Sequence, residues 1–136
     1  MQVVDTYPPN FEAILAAFPM AKNPGVMFTF GQTIHNPAGR KIPIWLVDHE
    51  EVHCAQQGAD PAGWWEKYIA DVQFRFAQEL PAHRAEWRSW LKAGMRNRHE
   101  RRQMMCVIGA RLAGPLYGRM VDFPSAKRMI ETEYPT

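Results

Sequence analysis

A chain of 136 residues, 46% apolar and 22% charged, has room for one hydrophobic core but not for a large second lobe, and its balance is globular rather than disordered. A formal net charge of only +2 argues against a strongly basic nucleic-acid binder. No apolar run reaches the length of a membrane span, residues 1 to 20 lack the basic start and apolar centre of a signal peptide, and the two cysteines, Cys54 and Cys106, fit no C-x-x-C pattern or disulfide scaffold.

Residues 1 to 9, ending in Tyr7-Pro8-Pro9, read as an extended lead-in. Asn10 is a suitable N-cap for a short helix from Phe11 to Phe18, which Pro19 would stop. After the Pro24-Gly25 turn, Val26 to Phe30 is the best strand candidate, with an extension through Gly31 to His35 before the turn at Asn36-Pro37-Ala38-Gly39. A short hairpin or small sheet is the expectation here.

The next stretch, IPIWLVDHEEVHCAQQ from 42 to 57, holds His49-Glu50-Glu51-Val52-His53, an H-E-x-x-H motif. Composition alone would produce this pattern in about one such chain in a hundred, so its setting decides its weight. Pro43 suits the first turn of a helix and Gly58 suits its end. Trp45, Leu46, His49, Val52, His53 and Gln56 recur at three- and four-residue steps, which puts the histidines on the core-facing stripe. Imidazoles four residues apart lie one above the other and reach a single metal ion; Glu50 lies beside them, where it can take a proton from water. Cys54, turned about 100° from His53, reads as a small packing residue.

Residues 58 to 63 form a loop, and Trp64 to about Lys92 is helical, with Pro81 either kinking the segment or starting its second half. Arg96, Arg98, Arg101 and Arg102, with Lys92 before them, make a basic stretch that the small net charge marks as a solvated face rather than a nucleic-acid surface. Met104 to Leu112 is a further helical run ended by Gly114-Pro115, Leu116-Tyr117-Gly118 a turn, and Ser125 a cap for a last helix to about Glu131.

A catalytic zinc site needs three protein ligands and one open position. The downstream choices are Glu66, Glu79, His83 and Glu86, and His83, four residues beyond Glu79, makes a three-histidine site the main competitor. The motif with Cys54-Ala55-Gln56-Gln57, Trp64-Trp65, Tyr68, Phe74-Arg75 and Gln78-Glu79-Leu80-Pro81-Ala82-His83 resembles the gluzincin clan of HExxH metallopeptidases, in particular the small stand-alone domains of bacterial and phage genomes. The resemblance covers roughly residues 26 to 120 and is strongest from 42 to 87.

It implies an α+β fold, a minimal zincin-like domain that is mostly helical with a small sheet beside the motif helix. It implies Zn2+ on His49, His53 and Glu79, the last matching an E-x-x-A setting, with Glu50 as general base in peptide-bond hydrolysis. Tyr117 is a candidate donor to the oxyanion, with Arg84 and His83 behind it, and Asp48 and Gln57 could orient ligands. The strand from Val26 to Ile34 would be the edge to which a peptide or protein substrate adds. One domain spans 1 to 136: a lead-in and short helix to 24, a core from 25 to 120, and a short helix and tail from 121. A cytoplasmic peptidase without a membrane partner is the expectation. The alternative is a zinc-binding, catalytically silent structural or interaction protein, such as a virion-associated component of a phage particle.

Overall fold

In the computed structural model, which describes residues 1–132, a three-stranded sheet packs beside a group of helices, an α+β arrangement dominated by helix. The chain runs β1 (Gln2–Val4), α1 (Phe11–Ala17), a 3-10 turn (Pro19–Lys22), β2 (Phe28–Phe30), β3 (Thr33–His35), α2 (Ile44–Gln57), α3 (Pro61–Ala70), α4 (Val72–Lys92), α5 (Arg98–Leu112), a second 3-10 turn (Pro115–Tyr117) and α6 (Phe123–Glu131). The tail expected at 133 to 136 lies outside the described residues.

The strand order is β1-β3-β2, with β2 antiparallel and β1 parallel to β3. The hairpin turns at Gly31, whose φ of 62° is one that L side chains rarely adopt. The expected strand at Val26 is shorter, beginning at Phe28, and the lead-in contributes β1. That parallel pairing spans some thirty residues, Val3 opposite Ile34, so local pattern does not announce it.

Other boundaries also move. Pro43 sits at the N-cap of α2, extended at ψ 150°, rather than in its first turn, while Gly58 ends the helix at φ 54°. The helix expected from Trp64 is two, broken at Asp71, whose carboxylate accepts from the backbone N–H groups of Gln73 and Phe74 and so starts α4. α4 then passes through Pro81 without restarting. Carbonyls just ahead of the proline receive side-chain donors, Gln56 Nε2 on Gln78 at 2.8 Å and His83 Nδ1 on Glu79 at 2.8 Å. The basic stretch opens α5 under an Asn97/Glu100 capping box, and Asp122, not Ser125, caps α6.

Two apolar clusters flank the junction of α2 and α4. One gathers Ile14, Phe28, Trp64, Trp65 and Tyr68; the other gathers Phe76, Trp87, Trp90, Ile108, Leu112, Tyr117 and Ile130. The polar groups of α2 and α4 meet between them. Trp87 and Trp90 are buried and stack on each other, and Arg96 lies over Trp90, so neither ring is a free stacking platform for bases. Among the described residues no helix is long and apolar enough to cross a membrane.

Candidate metal centre

Helical spacing sets the ligand positions. His49 and His53 stand one turn apart on α2, and Glu79, His83 and Glu86 occupy i, i+4 and i+7 on α4, the helix packed most extensively against it. The three imidazoles converge on one carboxylate oxygen. Glu79 Oε1 lies 3.3 Å from His49 Nε2, 3.1 Å from His53 Nε2 and 3.6 Å from His83 Nδ1. His49, Glu79 and His83 form a buried group whose ligand atoms lie within 4.8 Å of one another and could hold a metal ion.

Each imidazole has its Nδ1 engaged by an oxygen acceptor. His49 Nδ1 donates to Glu86 Oε1 at 2.8 Å, His53 Nδ1 to Gln56 Oε1 at 2.8 Å, and His83 Nδ1 to the Glu79 backbone carbonyl. With Nδ1 carrying the proton, the neutral ring presents a lone pair at Nε2, the tautomer a metal ligand requires. His83 Nε2 is buried and has no hydrogen-bond partner, an acceptor in a 0% exposed side chain. Such an orphaned nitrogen and a donor set of imidazoles with a carboxylate fit a borderline-soft divalent ion.

Further groups hold the donors. Arg111 donates NH1 to Glu86 Oε1 at 2.7 Å and NH2 to Oε2 at 3.2 Å, making a chain from Arg111 through Glu86 to His49. Tyr68 donates its hydroxyl to Glu79 Oε2. Burial works against the Glu86 carboxylate, but hydrogen bonds from His49 and Arg111 outweigh it and bring its pKa to about 2. Glu86→Gln, which keeps shape but loses charge, is therefore expected to weaken metal binding by about 10–100-fold without unfolding the protein; competition with a chromophoric chelator measures it.

Burial also opposes a charged imidazole at His49, yet the hydrogen bonds it donates to Glu79 and Glu86, together with the charges of Glu79 and Glu50, raise its pKa to about 10. His83 goes the other way, to about 3, through burial and the neighbouring His49 charge. Metal-free protein at pH 7 thus holds a proton on His49 that a metal must displace. His53 is shifted in the same direction, so metal uptake is expected to release at least one proton per ion and to tighten as pH rises toward 10. Calorimetry in buffers of different ionisation enthalpy counts it; a buffer-independent heat at pH 7 would contradict the expectation.

Glu50 is buried beside the ligands, and the Thr29 hydroxyl donates to its Oε2 at 2.8 Å, fixing the carboxylate from the β2 side. Tyr117, in the second 3-10 turn, approaches from the far side with its ring 5.6 Å from that of His83. Burial and then the Glu79 charge hold its phenol well above the ordinary value, so the hydroxyl keeps its proton. Glu50, Tyr117, His49, His53 and Glu79 all line one cavity of about 390 Å³.

The structure thus brings together His49, Glu50, His53, Glu79 and Tyr117, and adds His83. Glu86, weighed from sequence as a rival ligand, lies behind His49 instead. Glu51 is exposed and Cys54 buried. Asp48 lines a shallow hollow with Glu51 and Lys92, away from the ligands. Gln57 orients no ligand: its Oε1 accepts from Gly31 N at 2.7 Å and its Nε2 donates to the Thr29 carbonyl at 2.8 Å, clamping α2 to the hairpin. Arg84 is turned to α6, donating to the Met129 carbonyl. The expected substrate edge is altered too, because the Thr29 carbonyl already accepts from both Gln57 Nε2 and Trp65 Nε1.

The roles of Gln56, Tyr68 and Arg111 escaped sequence reading. Only Gln56 left a signal, three residues beyond His53 on the same helix. Comparison with protein-family models, with curated proteins and with solved structures finds no match to this chain.

Proposed function

We propose that the protein is a zinc-dependent metallopeptidase built on a minimal zincin-like fold. The observation that carries this reading is Glu50, a buried carboxylate held by Thr29 beside two Nδ1-anchored imidazoles and the Glu79 carboxylate, all opening on one cavity. His49, His53 and Glu79 would hold the ion. Bound there, zinc would supply Lewis acidity toward a carbonyl oxygen and toward water.

The chain's own groups supply the rest. Glu50 accepts a proton from the attacking water and returns it to the leaving amine. Tyr117, kept protonated by burial, donates a hydrogen bond to the carbonyl oxygen as negative charge develops there. Tyr68 holds Glu79 in place and the Arg111–Glu86 pair holds His49, so the site is set before substrate arrives. Apolar walls limit competing water.

A second reading has its own support. The free Nε2 of His83 offers a fourth protein donor, and a four-donor site is closed, as in structural zinc centres of assembly or interaction proteins such as a phage-particle component. Incubating zinc-loaded protein with a mixed peptide library separates the two. Peptidase action gives cleavage that a chelator stops and zinc restores; intact peptides over a long incubation with one zinc bound favour the closed centre.

A further inference from the structure

We infer that the cavity selects a short substrate carrying one large, neutral, apolar side chain, and that it does not take an extended polypeptide. This deepens the peptidase reading and rests on it.

The cavity wall away from the metal centre is apolar, built from Ile14 and Phe18 of the N-terminal segment, Met20 after them, Val26 and Met27 before β2, and Leu46 of α2. Every charged lining group stands at the metal end, where the Arg111 charge is already countered by the Glu86 carboxylate that both its terminal nitrogens reach. A lysine or aspartate side chain entering the apolar end would lose water without gaining a partner. The volume of about 390 Å³ lies near the lower end of small-molecule sites, roughly 300–1,000 Å³. It suits one bulky group and the amide attached to it.

Length is limited by the sheet edge. An extended chain gains affinity by adding main-chain hydrogen bonds to an edge strand. At β2 both lone pairs of the Thr29 carbonyl are taken by Gln57 and Trp65, and the next turn's Gly31 N–H is taken by Gln57. The helices α2 and α3 have capped the rail a polypeptide would use.

Hydroxamates that chelate the metal test this with the zinc-loaded protein. Acetohydroxamate reports the centre alone. N-acetylphenylalanine hydroxamate is expected to bind at least about tenfold tighter than acetohydroxamate, a modest return for burying a phenyl ring. N-acetyllysine hydroxamate should gain nothing, and four alanines added before the phenylalanine should change affinity less than threefold. Val26→Trp, or Met27→Trp if the first does not fold, fills the cavity and should erase the phenylalanine advantage while leaving acetohydroxamate unchanged. Equal binding of the acetyl and phenylalanine probes, or a tenfold gain from the alanines, overturns the inference while leaving the metal centre intact. Failure of every hydroxamate, acetohydroxamate included, overturns the metal reading beneath it.

Discussion

Replacing Glu50 by Gln is expected to leave zinc binding within about threefold of wild type while lowering peptide hydrolysis by at least about 10²–10⁴-fold, the usual contribution of a positioned general base. Glu50 shares α2 with the two histidines but accepts its hydrogen bond from Thr29, on the sheet side, rather than from any ligand. The amide keeps the acceptor that Thr29 needs, so the fold and the ligand set are undisturbed. It cannot accept a proton from water at neutral pH. Parallel measurement of metal content and turnover therefore separates holding the ion from using it. Equal turnover by the two proteins would remove Glu50 from the chemistry and with it the peptidase reading.

Glu79→Ala should do the opposite kind of damage. Its Oε1 is the atom on which the imidazoles converge, and its Oε2 accepts from Tyr68. Burial resists a charged carboxylate there, yet the His53 charge and hydrogen bonds from His49 and His53 hold its pKa well below the usual range. Removing it takes away the carboxylate that favours the charged form of His49 and His53 and leaves the buried Tyr68 phenol without this acceptor. Loss of one partner from a buried charge pair costs about 3–5 kcal/mol, so the metal-free variant should unfold at clearly lower denaturant than metal-free wild type. Glu79→Gln retains an acceptor for Tyr68 and should recover part of that stability but little zinc affinity. Both variants binding zinc like wild type would place the third donor elsewhere, with His83 next in line.

The two proteins in those experiments differ at positions the sequence made visible for different reasons. His49, Glu50 and His53 were legible because four residues on a helix is a local distance, and a proline before and a glycine after marked the helix ends. Glu79 was reached through resemblance, since nothing local distinguishes it from Glu66 or Glu86. The partners that fix the ligands were not legible. Arg111 meets Glu86 across 25 positions and His49 meets Glu86 across 37, contacts that depend on how α2, α4 and α5 cross. The same holds for β1, whose partner strand lies thirty residues away, and for the hydrogen bonds from Gln57 and Trp65 that close the sheet edge. From sequence, Pro81 could either kink the segment or start its second half, and α4 runs through it. Donors from Gln56 and His83 serve the carbonyls ahead of it, which residue preference alone does not reveal.

Anomalous diffraction at the zinc edge from crystals of the zinc-loaded protein would show whether α2 and α4 together hold a buried metal ion. One peak per chain is expected among His49 Nε2, His53 Nε2 and the Glu79 carboxylate, with the side facing Glu50 open to the cavity. A chain that takes up no zinc at micromolar concentration, or whose only peak lies away from those atoms, would contradict that expectation.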